Sequence, residues 1–174
     1  KVFKSGDDQL LYQILLPQNF SIDRKYPLLL FLHGAGERGS DNEKQLVHGA
    51  KFLSSEENQS KYPSIIIFPQ CPSGDFWSNA EVKEGTGGGR LHFLDGGKPN
   101  QAMSLVVSLM DSIILNDFID KSKVYVGGLS MGGMGTFEIV NRRPDIFAAA
   151  FPICGGGNPN SVSRYAEKTS FWIF

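Results

Sequence analysis

No stretch of this sequence approaches the ~18 consecutive apolar residues of a membrane-spanning helix, so a helical span is not expected. Charge of one sign is equally scarce. Lys and Arg total 17 against 18 Asp and Glu, for a net charge of −1. That balance gives no field to draw in nucleic acid or an anionic membrane surface. Only two cysteines occur, Cys71 and Cys154. They form neither a metal spacing nor a disulfide framework, and both fall at the ends of expected buried strands, where a free thiol behaves as a small apolar group. The three histidines, His33, His48 and His92, are scattered, and no acidic cluster has ligand spacing, so neither a metal nor a cofactor is expected. Lys1 opens no apolar leader, a feature that a mature secreted form would lack as well.

What is present is the composition of one globular domain, 174 residues long and 41% hydrophobic. Gln9 to Leu16 reads as a strand broken by Pro17. Pro27 to Leu32 and Ser64 to Pro69 are continuous apolar runs too short for helices, the pattern of parallel strands buried on both faces. Asp41 to Leu53 has helical character between them. The segment 70–99 lacks periodicity and is rich in glycine, including Gly85-Thr86-Gly87-Gly88-Gly89, and connections of that length are usually functional or mobile. Asn100 is placed to cap a helix carrying Met103, Val106, Val107, Met110, Ile113 and Ile114 at three- and four-residue steps. Its methionines read as core filler. Further apolar strands are expected at Lys123 to Gly127, Ala148 to Ile153 and Ser170 to Phe174. A helix is expected from Met131 to Arg142, its basic end suited to the helix dipole and stopped by Pro144. A short helix or turn is expected over Ser161 to Lys168. Alternating buried strands and helices predict an α/β fold, a mostly parallel sheet flanked by helices, in a single domain over residues 1–174.

The third strand leads into Gly128-Leu129-Ser130-Met131-Gly132, a Gly-x-Ser-x-Gly followed by helix. A nucleophile elbow needs that order. The sharp turn exposes the serine hydroxyl above the sheet, and glycines two residues to either side remove Cβ atoms that would clash. The pattern alone is weak, and its neighbours make it specific. In open α/β sheets functional groups gather at the carboxyl ends of strands. Here those ends carry His33-Gly34-Ala35-Gly36-Glu37-Arg38-Gly39, Pro69-Gln70-Cys71-Pro72 and Cys154-Gly155-Gly156-Gly157.

With these motifs in this order, the sequence resembles the α/β-hydrolase family along nearly its whole length. It is most similar to the bacterial carboxylesterases often described as predicted peptidases or phospholipase/carboxylesterase-like, which are related to feruloyl and acetylxylan esterases. The resemblance implies a serine esterase working through an acyl-enzyme on short-chain or carbohydrate-linked esters. Ser130 would be the nucleophile, and the backbone N–H groups of Met131 and Ala35 the oxyanion hole, with Gly36 as the alternative second donor. His33 would shape the oxyanion loop rather than act as base. Glu37 and Arg38 pair with each other, order the loop or are simply solvated. Trp77 and Phe76 either line an acyl or aromatic pocket or pack the long loop. His48 reads as a surface residue, and His92 is left as a base in an unusual order. The resemblance tilts the compartment, otherwise open, toward a secreted or periplasmic one.

The family's triad runs Ser, then Asp or Glu, then His along the chain. No histidine follows Ser130, and the acids that do, Glu138, Asp145 and Glu167, are not at the end of a later strand. Phe171-Trp172-Ile173-Phe174 resembles the strand that leads to the family's acid. The expectation is therefore an incomplete domain whose remaining part supplies acid and histidine, with little esterase activity in these 174 residues alone. A serine peptidase of the same fold and a non-catalytic binding module are the competing readings. No extended peptide site is visible for the first, and an intact oxyanion loop argues against the second.

Overall fold

A computed structural model of the chain describes residues 1–84 and 90–174. The glycine run 85–89 lies outside the described residues. In chain order the elements are β1 (Val2–Ser5), β2 (Asp8–Leu15), β3 (Tyr26–Leu32), α1 (Ala50–Leu53), α2 (Glu56–Lys61), β4 (Ile65–Gln70), β5 (Ala80–Lys83) and β6 (Arg90–Phe93). There follow α3 (Gln101–Ile113), β7 (Ile119–Leu129), α4 (Met131–Arg142), β8 (Ala149–Ile153) and β9 (Ser170–Phe171).

Seven strands form one sheet in the order β1-β2-β4-β3-β7-β8-β9. The pairs from β4 to β9 are parallel, and β1 and β2 add an antiparallel flank. β3 and β4 are apolar at almost every position because both faces are covered. Leu28, Leu30, Leu32, Ile65 and Ile67 point to one side, where they join Met103, Val106 and Met110 of α3 and Ile139 and Val140 of α4. Leu29, Phe31, Ile66 and Phe68 alternate to the other side and pack with Ala50, Leu46 and Leu53. The methionines of α3 are fully buried, as core filler should be. The α/β architecture read from the sequence is the one found.

Several local expectations are corrected. The helix expected over Asp41 to Leu53 is broken by Gly49, whose φ of 82° is left-handed and whose missing side chain makes room for the Phe31 ring. A single 3-10 turn, Lys44–Leu46, and the one-turn α1 remain. Asn100 occupies the cap position of α3 but does not cap it. Its amide instead donates to the carbonyls of Phe76 and Ser78 at 3.3 and 3.1 Å. The cap is Asp75, whose Oδ2 accepts from the N–H of Ala102 at 2.6 Å. Part of segment 70–99 is an antiparallel hairpin, β5 with β6, where no strand was expected. Cys154 is exposed and not a buried strand end, whereas Cys71 is buried. Beyond Phe171 the N–H groups of Trp172 and Phe174 still bond to Ala150 and Pro152, but the side chains of residues 172–174 are exposed.

Candidate active site

The elbow is built at the carboxyl end of β7, in the middle of the parallel strands. Ser130 has φ 55° and ψ −111°, is exposed, and is followed at once by the first turn of α4. Its N–H donates to the carbonyl of Ile153 at 2.8 Å, and its carbonyl accepts from Met134 at 3.0 Å. A non-glycine residue with positive φ is held only where the surroundings over-determine it. Here they do, through β8 on one side and the helix on the other. A methyl group on Gly132 would collide with the carbonyl of Leu32 and lie 2.8 Å from that of His33. One on Gly133 would lie 2.7 Å from the carbonyl of Ile153. These glycines let α4 start in contact with the ends of β3 and β8.

The loop after β3 abuts this turn. A methyl group on Gly34 would lie 3.6 Å from the Leu129 carbonyl oxygen, and Ala35–Glu37 form a 3-10 turn. Among the described residues no acceptor is bonded to the backbone N–H of Ala35, Gly36 or Met131. Met131 itself is buried, so its amide is offered by the backbone alone. Free N–H groups beside a helix start suit a developing negative charge.

His33 is fully committed inside this loop. Its Nε2 accepts from the N–H of Cys71 at 2.9 Å, which assigns the proton to Nδ1, and Nδ1 meets the Gly34 carbonyl at 2.6 Å. Burial lowers its pKa, partly offset by the bond to Gly34 and the nearby Glu37 carboxylate. The unfolded chain takes up a proton near pH 6.5 while the folded chain resists it. The contribution to stability is therefore complete above that pH and is lost as pH falls through the lowered folded value. Thermal unfolding is expected to show a midpoint that drops on acidification below neutrality, with a shallower pH slope in His33→Gln. Equal slopes in the two proteins would show that His33 does not carry the effect.

Glu37 and Arg38 do not pair with each other. Glu37 lies 3.6 Å from His48, and Arg38 donates to the carbonyls of Ala35 and Asp75 at 3.0 and 3.2 Å. Arg38 therefore ties the loop to the segment that caps α3. His48 is exposed, and His92 is exposed in β6 opposite Glu81. Among the described residues no hydrogen bond reaches the Ser130 hydroxyl. Trp77 is a correction. It has no exposed surface to offer a ligand, since its ring packs beneath α4 at Gly135 and its Nε1 donates to the His33 carbonyl at 3.1 Å. The indole is a core residue under the loop, not a pocket wall. Phe76 is half-buried and packs on the same core.

Gln70, which the sequence marks only as part of the strand-end run Pro69-Gln70-Cys71-Pro72, holds the second half of the loop. Its side chain is buried, accepts from the N–H of Asn42 at 2.7 Å, and donates to Asp41 and the Glu37 carbonyl at 2.9 and 3.3 Å. A buried amide at the end of an all-apolar strand was the available signal, because such a group must find partners. Asp41 is held well below the usual carboxylate range by the Lys44 N–H and by Gln70. The Cys71 thiol is pushed up to about 12 by burial and the Asp75 charge, so it stays protonated and is no nucleophile. Among the described residues no three His, Cys, Asp or Glu side chains come together as a metal site, and no helix is long and apolar enough to cross a membrane.

A family model described as the prolyl oligopeptidase family matches residues 94–171. A thermostable esterase of known structure is 34% identical, with a TM-score of 0.83, over all of this chain and 45% of its own. An acetyl xylan esterase from Aspergillus awamori is 21% identical, with a TM-score of 0.56, over 88% of this chain and 48% of its own. The poly(3-hydroxyalkanoate) depolymerase C of Paucimonas lemoignei is 29% identical over 137 residues, 75% of this chain and 28% of that protein. The chain thus spans less than half the length of these relatives. The thermostable esterase matches this chain from end to end, and the mostly parallel sheet flanked by helices is the α/β-hydrolase fold.

Proposed function

We propose that this chain carries the nucleophile and oxyanion hole of a serine carboxylester hydrolase. One observation carries the reading: an exposed serine at φ 55° on a strand-to-helix turn, beside a loop whose Ala35 N–H, like that of Met131, has no acceptor among the described residues. In the proposed reaction the Ser130 hydroxyl attacks an ester carbonyl, and a base removes its proton. The carbonyl oxygen takes up negative charge between the N–H groups of Met131 and Ala35. Collapse expels the alcohol, which leaves with the proton, and water then releases the acid from the acyl-enzyme. The likeness to the thermostable esterase supports ester chemistry, and the acetyl xylan esterase is compatible with short acyl groups on carbohydrate.

The base is assigned to residues outside these 174. Both ring nitrogens of His33 are committed, while His48 faces Glu37 and His92 sits in the hairpin. Loss of a triad member leaves only about 10³–10⁴-fold acceleration over water, so the 174 residues alone are expected to be weak. The match to the prolyl oligopeptidase family model favours a second reading, a peptidase on the same machinery. Full-length protein assayed on p-nitrophenyl acetate and on peptide p-nitroanilides separates the two. Ester hydrolysis without anilide release is expected. Anilide release at a comparable rate would favour the peptidase, and inactivity on both would favour a binding module.

A further inference from the structure

The hairpin of β5 and β6 has two unlike faces. Cross-strand register pairs Ala80 with Phe93 and Val82 with Leu91 on one face, and Glu81 with His92 and Lys83 with Arg90 on the other. The polar face needs no explanation. The apolar one does, because Val82 is 69% exposed and Leu91 42% exposed.

The root of the hairpin shows which way that face looks. Phe93 lies against Gly156, so close that a methyl group there would sit 3.3 Å from its ring, and its carbonyl accepts from Asn158 at 2.8 Å. Gly156 belongs to the loop that leaves β8, the strand whose Ile153 carbonyl holds the Ser130 N–H. Phe93 and Met134 of the elbow helix also line one small hollow. The root is riveted further on: Asn79 binds the carbonyl of Gly96, Leu94 binds that of Asn79, and Arg164 pairs with Asp95 at 2.6 Å. Leu91, two residues along the same face, stands ~7 Å beyond Phe93.

From this continuity with the serine's surroundings we infer that Val82, Leu91 and Phe93 form an apolar wall beside the mouth of the site, and that the wall takes the hydrocarbon part of the ester. The inference rests on the esterase reading and makes it narrower: the preferred acyl groups extend past acetyl. A wall of apolar side chains attached to the rim gains contact with each added methylene, and those side chains carry no polar group to orient a sugar.

The test uses full-length protein and p-nitrophenyl esters from acetate to octanoate, with the double variant Val82→Ser, Leu91→Ser. Both residues are exposed, so the fold has no stake in them. In the unaltered protein KM is expected to fall about tenfold from acetate to octanoate, and in the variant the ratio of the two KM values is expected to return to about one. A chain-length preference that survives in the variant, or is absent from the unaltered protein, overturns the wall. Sedimentation supplies a further arm. A dimer that the variant dissolves, with unchanged chain-length preference, would make this face a contact between copies and overturn the proposal. Octanoate binding followed by calorimetry keeps the wall testable if no ester is hydrolysed. Binding weakened by the variant supports the wall even where the esterase reading fails, and equal binding, or none in the unaltered protein, refutes it.

Discussion

Ser130→Ala in the full-length protein is expected to lower kcat on p-nitrophenyl acetate by about 10⁶-fold, the size of loss that follows removal of a triad serine. It is also expected to abolish labelling by a fluorophosphonate. The geometry makes the experiment clean. The Ser130 N–H to Ile153 and its carbonyl to Met134 are backbone bonds, which alanine keeps. Among the described residues the hydroxyl makes no hydrogen bond that its loss would break. Alanine keeps the same Cβ at φ 55°, so the strain in the turn is unchanged. Activity should therefore vanish at an unaltered thermal midpoint. Residual turnover within tenfold of the unaltered protein would remove Ser130 from the chemistry. A large fall in midpoint would instead mark the residue as structural.

The parts of the fold that the sequence discloses are those where local pattern and tertiary demand agree. α4 begins at Met131 and ends at Arg142 as expected, because an elbow fixes its start and Pro144 its end. β3 and β4 are legible since burial on both faces leaves no polar position to confuse the period. Elsewhere the deciding partner is far along the chain. Asp75 caps α3 from 27 residues away, while Asn100, with the better local credentials, binds two loop carbonyls. The break at Gly49 depends on where the ring of Phe31 lies, which no window around residue 49 contains. The hairpin escapes notice because each strand has four residues and both are largely exposed, which gives periodicity little to work on. At the site, Ser130, Met131 and Ala35 come from motifs and are brought to adjoining turns. Trp77 goes the other way. Glycine at 135 opens a socket for its ring under α4, and an aromatic residue in a glycine-rich loop gives no local sign of it.

Gly132→Ala should damage the protein more than any other single methyl group added near the elbow. The added carbon would collide with the Leu32 carbonyl and lie 2.8 Å from the His33 carbonyl. Both are backbone atoms at the end of a buried parallel strand, so neither can rotate away as the tip of a side chain would. Relief requires α4 to back off from β3. The same movement shifts Met131, whose N–H is the proposed oxyanion donor, and disturbs Trp77 and Leu32, which pack against Gly135 one turn along. A destabilisation of about 4 kcal/mol or more is expected, in the range reserved for steric conflict in a core. Urea unfolding of the full-length protein measures it, with fluorophosphonate labelling as the readout of the site. Gly36→Ala supplies the comparison. Gly36 is also in the loop and exposed, but an added carbon there meets nothing within 4 Å. Its effect is expected to stay within about 0.5 kcal/mol with labelling retained. If the two variants unfold at the same urea concentration, the close passage of α4 over the end of β3 does not hold the elbow. If Gly132→Ala is stable but unlabelled, the contact positions the serine without supporting the fold.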